Sequence, residues 1–348
     1  MTDDTLLALK DVYKWFPVNQ TLLDTLLQRE SLYVHAVDGV SFRVERGKVF
    51  GLAGESGSGK TTTGRVAIRL EDATKGQVLF EGRDLMQLSP EELRAQRREM
   101  QIIFQDPFAS LNPRMSLGNA IAHGLRIHKL TASERETRQR VLEIMHRVGL
   151  TPPDTFYNRF PHQLSGGQRQ RAVIARALVL EPKLVVADEP IAMADVSVRA
   201  VLLDLMIKLK QEFNLTYLFI THDLATAKYI CDDIAIMYLG KIVEVGPLHK
   251  VYREPQHPYT EALLAAVPVP NPRHRRQKPM PRGEIPSPIN PPRGCRFHPR
   301  CPLAIDICSQ EEPVLLPGKP GDDHLAACHV RTGAYQDQGR PLQAAAAR

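Results

Sequence analysis

One stretch of eight residues restricts what this chain can fold into more than any other. Gly54-Glu55-Ser56-Gly57-Ser58-Gly59-Lys60-Thr61 follows a short apolar run at 48–53 and leads into a helix-compatible segment that opens with Thr62. The pattern G-x-x-x-x-G-K-[ST], flanked by a strand and a helix, is a phosphate loop. Its glycines let successive backbone N–H groups turn inward around the β- and γ-phosphates of a nucleotide. The helix N-terminus adds partial positive charge. Lys60 is placed to reach the outer phosphates and the Thr61 hydroxyl to ligate Mg²⁺. A Gly/Ser-rich turn could match by chance, but strand, loop and helix all agree here.

About 130 residues further on, an apolar run from Leu184 to Ala187 ends in Asp188-Glu189-Pro190. A strand buried on both faces of a parallel sheet reads this way, and ligand-binding groups belong at its carboxyl end. Asp188 would hold Mg²⁺ through water, and Glu189 would polarise the attacking water as general base. A second anion cradle lies in Phe160-Pro161-His162-Gln163-Leu164-Ser165-Gly166-Gly167-Gln168-Arg169-Gln170-Arg171. Ser165 and two glycines open a helix whose apolar face is Val173, Ile174, Ala177 and Leu178. One nucleotide needs one cradle, so two cradles point to a dimer in which each faces the other subunit's nucleotide.

LSGGQRQR, residues 164–171, resembles the signature of ABC-transporter ATPases, and the remaining motifs of that family occur in order. The resemblance assigns Gln105 to the glutamine that senses the γ-phosphate and Mg²⁺. It assigns Asp195 to the D-loop aspartate and His222 to the histidine that contacts the γ-phosphate. It also implies an aromatic stacking on adenine, for which Phe16 fits by position, with Trp15 and Tyr33 as alternatives. One departure is present: the family's Ser-Ala-Leu-Asp D-loop is here Ala192-Met193-Ala194-Asp195. The aspartate is kept and the serine hydroxyl is lost. That bears on contacts across the dimer rather than on hydrolysis.

The resemblance extends from about residue 5 to about residue 330. Gln105–Met115, Met237–Glu244, Gln256–Thr260, Gly283–Pro288 and Phe297–Pro302 are similar to the F-type ATPase of oligopeptide/dipeptide importers. That likeness implies an ATP-hydrolysing subunit paired with a second ATPase, the same or a different chain. Two membrane permease subunits and a periplasmic or extracellular solute-binding protein complete such a machine, with the ATPases peripheral on the cytoplasmic face of the inner membrane. Relatives that carry oligosaccharides or nickel keep the cargo open. A soluble ABC ATPase of repair or translation is the other class. The long coiled coil of the former and the tandem cassettes of the latter are missing from this sequence.

Five cysteines are present, and four of them, Cys295, Cys301, Cys308 and Cys328, have the spacing C-x5-C-x6-C-x19-C. Cys231 lies apart on an apolar stretch and reads as a small buried hydrophobe. Clustered cysteines in a reduced compartment are more often metal ligands than disulfides. Four thiolates suit Zn²⁺ or an iron–sulfur cluster, and the importer resemblance implies a 4Fe-4S cluster; reduced, unliganded thiols are the remaining alternative. His298, His324 and His329 are spare candidate ligands. A redox sensor built on these cysteines is a further functional alternative.

The fold expected is α/β: a P-loop ABC ATPase with a parallel RecA-like core, an antiparallel β layer and a helical subdomain at about 106–180. Residues 5–12, 35–45, 76–81 and 234–245, the last with a turn at Leu239-Gly240, alternate as strands of the antiparallel layer. Residues 115–150 and 165–180 read as helices. Val198, Val201, Leu202, Leu205, Met206 and Leu209 keep helical spacing, as a core-facing stripe would. Composition divides the chain at residue 265. Residues 266–348 hold 12 Lys+Arg against 7 Asp+Glu, 15 of the 27 prolines and four of the five cysteines. This tail reads as a small Pro/Cys-rich extension with little core of its own. The net charge of +6 therefore sits mostly beyond the ATPase body. Arg273, Arg275, Arg276, Lys278, Arg282, Arg293, Arg296 and Arg300 read as a basic surround to the cysteines rather than a nucleic-acid footprint, with a solvated linker or a contact with membrane subunits or anionic headgroups as alternatives. No apolar run reaches the ~20 residues of a membrane span, and the acidic start MTDDTLLALK is unlike a signal peptide.

Overall fold

Apolar runs and turn residues set the elements of the computed structural model, which describes residues 4–18, 32–267 and 283–332. In chain order the strands are β1 (Thr5–Pro17), β2 (Tyr33–Glu45), β3 (Val49–Ala53), β4 (Lys75–Phe80), β5 (Arg83–Asp84) and β6 (Met100–Ile103). Then come β7 (Leu184–Asp188), β8 (Thr216–Thr221), β9 (Asp233–Tyr238), β10 (Lys241–Pro247), β11 (Leu316–Pro317) and β12 (Leu325–Ala326). By packing, the chain divides into two compact units. One comprises Met1–Leu7, Arg43–Val49 and Leu79–Ile220; the other comprises Ala8–Phe42, Phe50–Val78 and Thr221–Arg348. Residue 265 is not a boundary between them.

In the first unit β6, β7 and β8 lie in parallel register, with Ile103 opposite Ala187 and Asp188 opposite Ile220. β7 and β8 are buried along their whole length, as strands covered on both faces must be. The helical part carries the helices Leu117–Ile127, Glu134–Arg147 and Gly166–Leu178. The stretch 115–150 is helical as expected and is divided in two: Lys129 turns with φ 51°, and Ser133 restarts the chain by accepting the Glu136 N–H. Thr137, Val141, Ile144 and Met145 then face inward at helical spacing. Gly118 is needed for close approach, since a Cβ there would stand 2.5 Å from the Tyr157 ring. The helix Val196–Phe213 buries Leu202, Leu205, Met206 and Leu209 as expected. Val201 points outward, 49% exposed, and Leu203 takes an inward place.

In the second unit β3 pairs in parallel with β9, Phe50 opposite Asp233 and Ala53 opposite Ile236. β9 returns as β10 through a two-residue turn, with Leu239 at φ 43° and Gly240 at φ 82°. That is the left-handed pair that suits the twist of a tight hairpin. The hairpin at 234–245 therefore does not join the antiparallel layer, contrary to the sequence expectation. Its first strand is buried from Ile234 to Tyr238, and a continuously apolar strand belongs in a parallel core. The antiparallel layer is the four-stranded sheet ordered β2–β1–β4–β5.

The extension is less isolated than its composition suggests. β12 pairs with β10, Glu244 opposite Ala326, and β11 pairs with β12. The tail thus covers the open edge of β10. Phe297, Ala326, Cys308, Cys328 and His324 are buried. The tail has little core of its own because it borrows the core of β9 and β10. Arg273, Arg275, Arg276, Lys278 and Arg282, and the final residues after 332, lie outside the described residues. Among the described residues no helix is long and apolar enough to cross a membrane.

Candidate active site

β3 is fully buried and delivers the chain into the phosphate loop. Gly54 (φ 155°) and Gly59 (φ 102°) admit no other residue: a Cβ would lie 2.1 Å from the Met237 carbonyl oxygen and 2.0 Å from that of Ala36. Ser56 and Gly57 are exposed at the tip, and Ser58 is buried. The helix Lys60–Ala67 follows, beginning with Lys60, Thr61 and Thr62. The Lys60 side chain is only 5% exposed. Its ammonium donates to the carbonyls of Gly54 and Glu55, each at 2.8 Å, and to Ser58 Oγ at 3.3 Å. The loop is thereby folded around a buried cation, the charge an incoming phosphate requires.

Two side chains that sequence reasoning did not assign hold this loop from outside. The Tyr259 hydroxyl accepts the Glu55 N–H at 2.9 Å. The Glu55 carboxylate pairs with the Arg300 guanidinium, 3.0 Å and 3.4 Å across the two N···O contacts. Both residues stood in stretches that resembled the importer family, but nothing in the linear sequence shows whom they contact.

In the first unit Asp188 ends β7 and is 3% exposed. Glu189 follows in a left-handed conformation (φ 46°), its N–H bonded to the Ile220 carbonyl at 3.0 Å. Gln105, just after β6, donates from Nε2 to Glu189 Oε2 at 2.8 Å. The carboxylate is therefore oriented by a neutral amide.

The signature segment is built as a helix N-terminus. Ser165 Oγ accepts the Gln168 N–H, and the Gln168 side chain accepts the Ser165 N–H, a reciprocal capping box. Space beyond Gly166 is open, whereas Gly167 packs against Val198. Asp195 caps the helix Val196–Phe213 without a side-chain bond. The altered D-loop is braced by Arg199, which donates to the carbonyls of Ala194 at 2.9 Å and Ala192 at 3.5 Å. His222, in the second unit, follows β8 and is exposed.

Of the aromatic candidates, Trp15 is fixed by its indole N–H, which donates to Asp38 at 3.0 Å. Phe16 is half-buried, with the Lys14 ammonium 4.8 Å from its ring centre.

None of the five cysteines is in a disulfide. Cys231 is buried against Gly51, and burial raises its thiol pKa. In the tail, burial pushes the thiols of Cys295 and Cys301 up to about 12 and that of Cys328 upward. Backbone N–H groups oppose this: Phe297 and His298 at Cys295, Leu303 at Cys301, Val330 and Arg331 at Cys328. Cys295 and Cys301 each feel the charges of Cys308 and Cys328. Among the described residues, however, no three His, Cys, Asp or Glu side chains converge on a point that could hold a metal ion. The spare histidines are engaged elsewhere: His324 with Glu244 at 2.6 Å, His298 with the Cys295 carbonyl and His329 with the Glu311 carbonyl, both at 2.9 Å. Arg296 and Arg300 do not serve as a diffuse positive surround to the thiols. They are committed to Asp38 and Glu55.

A phosphate loop, an apolar strand ending in Asp-Glu and a Ser-Gly-Gly helix start define an ATPase of the ABC class. Residues 37–192 match the family model "ABC transporter", and residues 243–308 match "Oligopeptide/dipeptide transporter, C-terminal region". The oligopeptide transport ATP-binding protein AppF of Bacillus subtilis is 48% identical over 94% of this chain and 98% of its own. The dipeptide transport ATP-binding protein DppF of Haemophilus influenzae is 46% identical over 90% and 93%. Among solved structures, the ATP-binding cassette MJ0796, a dimer in a post-hydrolysis state with ADP and Pi, superposes with a TM-score of 0.61 at 29% identity. The match covers 70% of this chain and 99% of that one. A cassette of Clostridium perfringens, cbiO1, gives 0.61 at 26% identity over 72% and 92%. The chain belongs to the ATP-binding subunits of the oligopeptide/dipeptide ABC transporter family, and it is an ATPase.

Proposed function

We propose that this chain powers import of oligopeptides or dipeptides, hydrolysing ATP on the cytoplasmic face of the inner membrane. It would do so with a second ATPase subunit, two permease subunits and a solute-binding protein. The nucleotide-binding body is residues 1–265, with a helical subdomain at about 106–180, and residues 266–348 are the extension. Lys60 and backbone amides of the loop Gly54–Thr62, other than that of Glu55, take the β- and γ-phosphates. Thr61, Asp188 and Gln105 would hold Mg²⁺, which neutralises phosphate charge when bound. Glu189 accepts the proton of the attacking water, and Gln105 keeps its carboxylate oriented. His222 reaches the γ-phosphate, Phe16 stacks on adenine, and Ser165–Gln168 with Asp195 complete the partner's site.

The observation that carries this reading is the Gln105–Glu189 contact beside a buried Asp188. In Glu189→Gln, ATP should still bind and hydrolysis should cease; near-normal turnover would remove Glu189 as the base.

The importer likeness of the tail supports a 4Fe-4S centre at Cys295, Cys301, Cys308 and Cys328, with zinc as the alternative; the placement of the four side chains favours neither. A cluster takes one thiolate at each of separate irons, and backbone N–H groups aimed at the sulfurs suit metal-bound thiolates. When bound, it would staple the chain between Cys295 and Cys328. Protein prepared without oxygen should be brown with about four irons per chain; colourless protein with about one zinc would refute the cluster.

A further inference from the structure

The Arg300–Glu55 pair joins the extension to the nucleotide site at its most sensitive segment. Glu55 is the second residue of the phosphate loop, and each of its polar groups is engaged. Its carbonyl accepts from Lys60 Nζ at 2.8 Å. Its N–H donates to the buried Tyr259 hydroxyl at 2.9 Å. Its carboxylate takes a two-contact pair with Arg300, whose side chain is 9% exposed. Arg300 also donates to the Tyr238 hydroxyl at 3.4 Å. The arginine is itself aimed by packing. Phe297, three residues earlier and 1% exposed, sits 5.4 Å from the rings of both Tyr238 and Tyr259.

A carboxylate inside a phosphate-binding loop has the wrong sign for its ligand. Left unpaired, it repels the triphosphate across a short distance partly shielded from solvent. Paired with a guanidinium, it becomes a neutral bidentate strut of fixed geometry. We infer that Arg300 is a positioning residue of the nucleotide site: it cancels the Glu55 charge and fixes the loop carbonyls on Lys60, so that ATP affinity depends on the C-terminal extension. This rests on the reading of residues 54–61 as the ATP phosphate loop.

The test is binding of Mg-ATP and Mg-ADP to the full chain by calorimetry, alongside the KM and kcat of hydrolysis. The native chain must bind ATP; if it does not, the phosphate-loop reading fails and not this one. Arg300→Met should weaken ATP binding ten- to a hundredfold, with the loss falling on KM more than on kcat. The defect should shrink as salt rises. Glu55→Gln alone should bind ATP two- to fivefold more tightly, because Arg300 then faces the phosphates unneutralised. The double variant Arg300→Met/Glu55→Gln should recover at least tenfold of the loss, which a merely structural role would not give. Arg300→Lys should fall between, keeping the charge and losing the fork. Should Arg300→Met fail to fold, Tyr259→Phe removes only the hydroxyl on the Glu55 N–H and should weaken ATP binding three- to tenfold. Native affinity in Arg300→Met, or in Tyr259→Phe where that is the variant available, would overturn the proposal. So would a double variant as weak as Arg300→Met alone.

Discussion

Gln105 Nε2 donates to Glu189 Oε2 at 2.8 Å, so the glutamine at the end of β6 orients the glutamate at the end of β7. Both strands belong to the same parallel set, in which Ile103 stands opposite Ala187. The register therefore brings the two side chains together. Gln105→Ala should leave Glu189 in place and remove the amide that orients its carboxylate. A loss of about 10–100-fold in kcat is expected, with a smaller change in ATP affinity, as for removal of a positioning contact. Steady-state hydrolysis and calorimetry on the same preparation separate the two.

Gly59→Ala should abolish nucleotide binding. The added methyl would lie 2.0 Å from the Ala36 carbonyl oxygen, and φ of 102° is strained for any residue with a Cβ. The loop must move away, taking Lys60 with it. Loss of ATP-induced thermal stabilisation, with the unliganded melting curve still cooperative, is the expected signature.

Phe297→Ala should loosen the extension. Phe297 is 1% exposed and contacts Tyr238, Tyr259 and His257. Truncating a buried phenylalanine of this kind costs about 3–5 kcal/mol. Denaturant unfolding and limited proteolysis within 283–332 should both report it.

Stability should fall below pH 6.5 in part through His257. Burial lowers its pKa from 6.5 to about 4, opposed by the nearby Glu244 carboxylate, which accepts the His257 backbone N–H. The ring is neutral, because Nδ1 accepts the Tyr259 N–H at 3.1 Å. A folded pKa below the unfolded one leaves this contribution complete above pH 6.5 and removes it as pH falls toward 4. The span is about 3 kcal/mol by linkage. His257→Asn keeps a helix-capping oxygen and removes the titration. The stability difference between native and variant should therefore narrow between pH 6.5 and 4.

Much of this arrangement was legible in the sequence because it is local. The phosphate loop, the Asp188-Glu189 strand end and the Ser165 capping box each carry their chemistry within a dozen residues. The helix stripe from Leu202 to Leu209 was legible for the same reason, although Val201 and Leu203 exchange places. The 234–245 hairpin reads as part of the antiparallel layer from its Leu239-Gly240 turn, whereas its first strand lies in parallel register with β3. The unbroken apolar run Ile234–Tyr238 was the contrary signal. The extension's role was hidden more deeply. Arg300 and Glu55 are 245 residues apart, and a run of arginines beside cysteines reads as diffuse charge until the fold pairs Arg296 with Asp38 and Arg300 with Glu55. Arg199, which braces the D-loop by its backbone, left no trace in composition either.

The most direct test is single-turnover hydrolysis of radiolabelled ATP by the native chain and by Glu189→Gln, each loaded with ATP to the same occupancy. The expected result is phosphate release by the native protein and release at least 100-fold slower in the variant, with ATP retained intact. Equal rates of release at equal occupancy would contradict the assignment of Glu189 as the base that accepts the proton of the attacking water.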